Sequence, residues 1–220
     1  MEARLALQLT REIEELTRRV EVLLHELDPD GIMVSVPGVG VINGAQILAR
    51  LGNPARFDSL AGARSFSGLV PSLNSSGTNG SHGGPTKSGD AHLREALYMA
   101  ADWARRIDPT LAQRYHRLMV HKGKHHNSAL CHISTALLDR IIACWRAGAP
   151  YEIRDLDGRP ITPQEGREIC SMRYTVSAEL RERRRSSRKQ QVGTSRRRKE
   201  SRSAPSTGSS PEEARAPLTA

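Results

Sequence analysis

Apolar residues recur near the start of the chain at alternating spacings of three and four: Ala6, Leu9, Ile13, Leu16, Val20, Leu23 and Leu27. This is a heptad register, with Ala6, Ile13, Val20 and Leu27 at a and Leu9, Leu16 and Leu23 at d. β-Branched residues at a with Leu at d favour a parallel two-stranded coil. The run is also short enough for the same stripe to pack as a simple core helix on the chain's own body. Asp28-Pro-Asp-Gly then supplies turn chemistry that ends the helix. Beyond it the pattern predicts a short helix, a turn and a second helix over 33–53. A further helix starts at Asp58 or Ser59, with Leu60, Ala63 and Phe66 apolar. Another is opened by Lys87-Ser-Gly-Asp, with Ser88 or Asp90 as N-cap and Leu93, Leu97 and Ala100 inward. Leu111 to Val120 and Ser128 to Ala147 read as two more, the second with Leu130, Ile133, Leu137, Ile141 and Trp145 along one stripe.

The expected fold is therefore mainly α: an N-terminal coiled-coil helix over 1–30 and a small helical domain over 31–150. Within that domain, Thr78 to Gly84 is rich in Gly, Asn and Ser and reads as a mobile Gly/Ser-rich active loop. Residues 151–176 form a Pro- and Gly-punctuated extension, and 177–220 a disordered basic tail.

Composition sharpens this division. Of 220 residues only 37% are hydrophobic and 4% aromatic, too few for the whole chain to be packed. The formal charge of +9 is concentrated between Arg181 and Arg202, where eleven Lys/Arg face two Glu, so the rest of the chain is neutral overall. The tail's role is non-specific attachment to polyanions. Cys131, Cys144 and Cys170 are widely spaced and odd in number, which argues against a disulfide framework and fits a reducing cytoplasm. No apolar run approaches the ~20 residues of a membrane span.

Three features carry candidate chemistry. Val36-Pro-Gly-Val-Gly followed by a helix resembles the helix-hairpin-helix DNA-binding motif. There Gly38 and Gly40 permit a tight turn whose N–H groups, with the helix N-terminus, can face a phosphate. The alternative is that the two glycines only allow close helix packing. Second, Ser75 and Ser76 lie in the Gly68-Leu-Val-Pro-Ser-Leu-Asn-Ser-Ser-Gly-Thr stretch, either as turn residues or as a nucleophile. Third, between Lys87 and Arg146 ten Lys/Arg outnumber five acids, a bias suited to a DNA-facing surface. Lys87, Arg94, Arg105 and Arg106 are its candidate contacts. His116, His121, His125, His126 and His132 with Cys131 match none of the common zinc spacings, so no metal site is expected.

The order Val36-Pro-Gly-Val-Gly, Gly68-Leu-Val-Pro, Ser75-Ser-Gly, Lys87-Ser-Gly-Asp, Leu93-Arg-Glu-Ala-Leu-Tyr-Met resembles the insertion-sequence transposases related to the Piv pilin-gene invertase, over Ile32 to Pro150. Those proteins pair an N-terminal RuvC-like DEDD domain with a C-terminal transposase domain. The resemblance implies a helical domain whose loop serine attacks DNA and forms a phosphoserine link. The family's serine directly precedes glycine, which carries over to Ser76, with Ser75 as the fallback. It also implies DNA as partner, a structured guide RNA from the element, and assembly through a coil like residues 5–27, with itself or with a full-length transposase. Mg²⁺ is expected only with the RuvC-like domain. No such domain precedes the coil in this sequence, and this chain supplies no cofactor site. The chain thus reads as the C-terminal half of such a transposase: a truncated element, a start placed too late, or a product needing a partner in trans. His82 is the nearest candidate base, and a histidine flanked by glycines in a loop is more often incidental.

Two other classes compete with the recombinase reading. One is a non-catalytic DNA- or RNA-binding module in which the serines are turn residues. The other is a regulator that dimerises with an intact transposase.

Overall fold

A computed structural model describes residues 2–76, 79–86 and 88–184, with 71–76 and 79–85 described through their backbone alone. The expected disorder of the tail from 185 onward lies outside the described residues. The architecture is mainly helical: α1 (Glu2–Leu27), α2 (Ile32–Ser35), α3 (Val41–Leu51), α4 (Leu60–Ser67), α5 (Ala91–Ala104), α6 (Pro109–His116), α7 (His126–Ala147) and α8 (Pro163–Arg173). One antiparallel hairpin, β1 (Pro71–Ser76) and β2 (Asn79–Pro85), interrupts the helices.

α1 touches the body only through its last turns. Leu24 is buried against α3 and Val20 is half-buried. Leu24 is not one of the heptad positions. Leu9, Ile13, Leu16, Leu23 and Leu27 remain 49–66% exposed, so most of the stripe does not pack on the chain's own body. The turn that follows is fixed by Asp28, whose buried carboxylate accepts the N–H of Ile32 at 2.9 Å and of Met33 at 2.7 Å, capping α2. A cap of this kind is worth about 1 kcal/mol.

The core sits between α5 and α7. On α5, Leu93, Ala96, Leu97, Ala100, Ala101 and Ala104 are buried, and on α7 Leu130, Ile133, Leu137 and Ile141 are, as the stripes predict. The run of alanines on α5 lets other backbone approach closely. The turn after α2 uses this: Gly38 has φ +82°, and a Cβ there would lie 2.3 Å from the carbonyl oxygen of Ala100. Asn43 on α3 donates to the Ala96 carbonyl at 3.1 Å and ties the second helix of the pair to the same surface.

Two expectations change. The described residues of the Gly/Ser-rich segment are not a loop but part of two antiparallel strands, with Ser75 opposite Gly80 and Ser76 opposite Asn79, and a register shift between Pro71 and Leu73. The sequence hides them because neither strand alternates apolar with polar residues or carries β-branched or aromatic residues, the usual strand signal. The extension packs on the helices. Ile153, Gly166, Cys170 and Val176 are buried, and Gly166 packs so closely that a Cβ would lie 2.1 Å from the Ile107 carbonyl oxygen. α8 starts with a capping box, Thr162 and Glu165 satisfying each other's backbone N–H groups. Residues 178–184, placed in the tail by composition, are helical, and Leu180 packs on the core. Apolar anchors at Val176 and Leu180 outweigh the surrounding charge.

Candidate nucleic-acid interface and reactive hairpin

The hairpin is held by a clamp of two glycines. Gly68 ends α4 in the left-handed conformation (φ +69°), its N–H and that of Leu69 closing the helix. Gly89, just before α5, lies directly against it. A Cβ on Gly89 would come within 2.2 Å of the Phe66 carbonyl oxygen and 2.3 Å of the Gly68 nitrogen. Asp90 donates its N–H to Phe66 at 2.9 Å, and its carboxylate caps α5 by accepting the Leu93 N–H at 2.7 Å. Arg94 donates to the carbonyl of Ser67 at 3.1 Å. All of these groups are backbone or short polar contacts with nowhere to move. Gly89→Ala is therefore expected to cost about 2–3 kcal/mol, read as a lowered thermal midpoint. An unchanged midpoint would show that the clamp is slack.

The clamp also separates residues that sequence proximity had grouped. Ser76 is the last residue of β1, five steps from Pro71, so at strand rise it stands roughly 17 Å from the hairpin base. Arg94 sits at that base with its guanidinium on protein carbonyls. Through these bonds it ties the hairpin base together. Lys87, and Gly77 and Thr78 between the strands, lie outside the described residues.

The turn between α2 and α3 places its two glycines differently. Gly38 faces α5, where it permits close packing, so its role is the packing one. Gly40 is extended (φ −93°, ψ 179°), has nothing near its missing Cβ, and starts α3 without a side-chain cap. That end of the turn remains open to an anion.

Arg105 and Arg106 both pair with Asp102, at 2.5 and 2.6 Å, and both lie over rings, Arg105 on Tyr115 (4.3 Å) and Arg106 on Trp103 (4.8 Å). Burial acts to raise the Asp102 pKa, but the two arginines together outweigh it and hold Asp102 below its usual range. Two cations on one acid leave a net positive charge at this end of α5.

Asp108 is a further organising residue that the sequence reading passed over. It is 1% exposed, caps α6 through the N–H groups of Thr110 and Leu111, and pairs with Arg140 at 2.9 Å. Tyr151 donates its hydroxyl to the same carboxylate and contacts Arg140, fastening the extension to the core. Burial, then the Asp108 charge, pushes the Tyr151 phenol far above its ordinary value, so it stays a donor. Asp108-Pro-Thr was a legible signal, an N-cap residue before proline.

The histidines do not converge on a metal. Among the described residues no group of three or more His, Cys, Asp or Glu could hold an ion. His116 and His121 meet edge to face, and burial followed by the neighbouring His121 lowers the His116 pKa. Cys131, Cys144 and Cys170 form no disulfide, and burial with Asp108 and Asp155 pushes Cys170 up to about 12, leaving it an inert thiol. No helix among the described residues is long and apolar enough to cross a membrane.

Residues 31–116, from the turn before α2 to the end of α6, match the model of the Transposase IS116/IS110/IS902 family. Two curated proteins are similar over a longer stretch. The insertion element IS110 uncharacterized 43.6 kDa protein of Streptomyces coelicolor is 33% identical over 132 residues, covering 59% of this chain and 31% of the relative. The insertion element IS900 uncharacterized 42 kDa protein of Mycobacterium paratuberculosis is 33% identical over 124 residues, covering 54% and 30%. The chain thus spans about a third of the length of these relatives. The segment similar to this transposase family contains both glycines of the clamp and the described residues of the hairpin.

Proposed function

We propose that this chain acts in DNA transposition, binding DNA and joining it covalently through Ser76, with Ser75 as the alternative nucleophile. The observation that supports the reading is the position of the Ser75–Ser76 pair. It stands at the far end of a hairpin clamped by two glycines, inside the segment matching the transposase family. A turn serine needs no such mounting, whereas a nucleophile needs a fixed approach to its target.

In the proposed step the Ser76 hydroxyl oxygen attacks a phosphodiester phosphorus. An Oγ–P bond forms as one P–O bond to the DNA strand breaks. The serine proton passes to a base, and the displaced strand oxygen takes up a proton to leave as a hydroxyl. A serine hydroxyl is a weak nucleophile at neutral pH and needs activation. Mg²⁺ is expected with the RuvC-like domain, and among the described residues of this chain no three His, Cys, Asp or Glu gather to hold an ion. The base and the charge stabilisation are expected from an acidic RuvC-like domain acting with this one, and a structured RNA of the element is the expected guide. Recombination of DNA by such a protein belongs in the cytoplasm.

Assembly is proposed to run through α1. Its exposed stripe at Leu9, Ile13, Leu16, Leu23 and Leu27 keeps the heptad spacing, and a second α1, from this chain or a full-length transposase, would cover it. Ile13→Asp with Leu16→Asp should weaken self-association by at least about a hundredfold, since each apolar side chain withdrawn from a seam forfeits about 1.5–3 kcal/mol. Sedimentation equilibrium checks this. A monomeric wild type, or a double variant that associates equally well, would assign α1 no such role.

The function itself is tested by incubating the protein and a full-length transposase of this type with labelled element-end DNA, followed by a denaturing gel. A protease-sensitive adduct at the mass of this chain plus DNA is expected. Salt-sensitive binding without any adduct would instead support the non-catalytic binding module. Neither adduct nor binding would favour a dimerising regulator.

A further inference from the structure

At the opposite end of α5 from the hairpin, a cavity of about 350 Å³ opens between that helix, α8 and segment 178–184. Arg105, Arg106, Arg167 and Arg181 line it, with Ser171 and Tyr174 beside them. Asp102 engages Arg105 and Arg106 together, so it offsets only one of their two charges. Arg167 and Arg181 make no ion pair among the described residues. A fold that gathers four guanidinium groups around one space raises its own electrostatic energy, and an anion entering that space relieves it.

Two neighbouring observations extend the site. The adjoining cavity shares Arg181 and is lined by His126. The Nδ1 of His126 lies 2.7 Å from the Tyr115 hydroxyl. Burial holds His126 below the ordinary histidine value. One helical turn beyond Arg181, the Nε of Arg184 is buried without a hydrogen-bond partner. The Glu182 carboxylate lines the adjoining cavity as well, whereas the cavity with the four arginines has no acid in its lining.

We propose that this arginine-lined cavity seats a backbone phosphate of the DNA, gripped by the forks of Arg167 and Arg181. The inference rests on the nucleic-acid reading above but names a contact outside the family-matched segment, since both arginines follow residue 116. The volume suits a phosphate group with several waters at about 30 Å³ each. Guanidinium groups match phosphate geometry bidentately, and the remaining donors of Arg105 and Arg106 add to the field. The fourteen residues of α5 place the cavity roughly 20 Å from the hairpin base. The hairpin and the cavity would then hold one duplex at two separate points.

Fluorescence anisotropy of the full chain on a labelled duplex, from low to moderate salt, tests the proposal. Arg167→Ala with Arg181→Ala should weaken binding about tenfold and reduce the slope of log K against log salt by about 0.9, the value for one phosphate. Arg11→Ala with Arg173→Ala removes the same charge from exposed positions outside the cavity and should change neither quantity by comparable amounts. Equal losses in the two double variants, or a cavity variant that binds as the wild type does, overturn the assignment. Inorganic pyrophosphate gives an independent arm: it should raise the melting midpoint of the wild type and leave that of the cavity variant unchanged. Equal responses overturn the cavity as an anion site whatever the DNA result. A wild type without salt-sensitive DNA binding defeats the nucleic-acid reading instead; a pyrophosphate response confined to that wild type would then reassign the cavity to a free phospho-anion and overturn the DNA contact.

Discussion

Ser76→Ala is expected to remove covalent protein–DNA products entirely while leaving non-covalent affinity within about twofold of wild type, because affinity comes chiefly from phosphate contacts elsewhere. The change deletes one oxygen near the end of a hairpin whose backbone pairing, Ser76 opposite Asn79, does not involve the hydroxyl. The fold should therefore persist, with an unchanged melting midpoint as the control. Ser75→Ala, one position back and opposite Gly80, should retain adduct formation. Adducts that survive in Ser76→Ala and disappear in Ser75→Ala would move the nucleophile by one residue. Adducts in the double variant would exclude a serine mechanism at this hairpin. Ser76→Cys is a poorer probe, since a thiol alters acidity, size and preference for phosphorus at once.

The largest structural effect is expected at Asp108. Asp108→Ala should lower stability by about 3–4 kcal/mol: roughly 3 for stranding Arg140 and up to 1 for the lost cap on α6. The first figure lies at the low end of its range because the Arg140 side chain is 34% exposed and water can partly solvate it. For a chain of this size the midpoint should fall by roughly 6–16 °C. Asp108→Asn keeps an acceptor for the Thr110 and Leu111 N–H groups and should cost less. Tyr151→Phe should cost less still, since it removes one donor from the carboxylate and leaves Arg140 in place. A change below 1 kcal/mol in Asp108→Ala would show that Arg140 and Tyr151 find other partners, and that the extension is not fastened through this network.

How much of this was legible depended on whether the determining forces act locally. The stripe Leu130, Ile133, Leu137, Ile141 announced α7 because burial of one helix face imposes its period on the sequence. Asp90 and Ser59 announced the starts of α5 and α4 because a cap acts within three residues. The hairpin was not legible. Its pairing is a backbone property, and its glycines and serines resemble those of a loop. The clamp of Gly68 on Gly89 was invisible for a related reason: two glycines twenty-one residues apart reveal nothing until the chain brings them together. The packing of the extension was not legible because Pro and Gly dominate its surface turns, while its few apolar anchors, Ile153, Cys170 and Val176, are too sparse to show a period.

Candidate site residues divide along the same line. Ser76 was chosen by a motif, and the hairpin gives that motif a place at the outer end of two strands. Arg94 and Gly38 were chosen as phosphate contacts by their positions in the sequence, yet one holds carbonyls at the hairpin base and the other packs on α5. Arg167 and Arg181 drew no attention because each is an ordinary surface arginine in sequence. Only the approach of α8 and segment 178–184 to the end of α5 makes them neighbours of Arg105 and Arg106.

Mass spectrometry of the adduct tests the central claim most directly. Protein and full-length transposase are reacted with element-end DNA, the trapped product is digested with nuclease and protease, and the modified peptide is sequenced. A nucleotide remnant linked through phosphate to Ser76 is the predicted result. A remnant on any residue outside the Ser75–Ser76 pair would contradict the account.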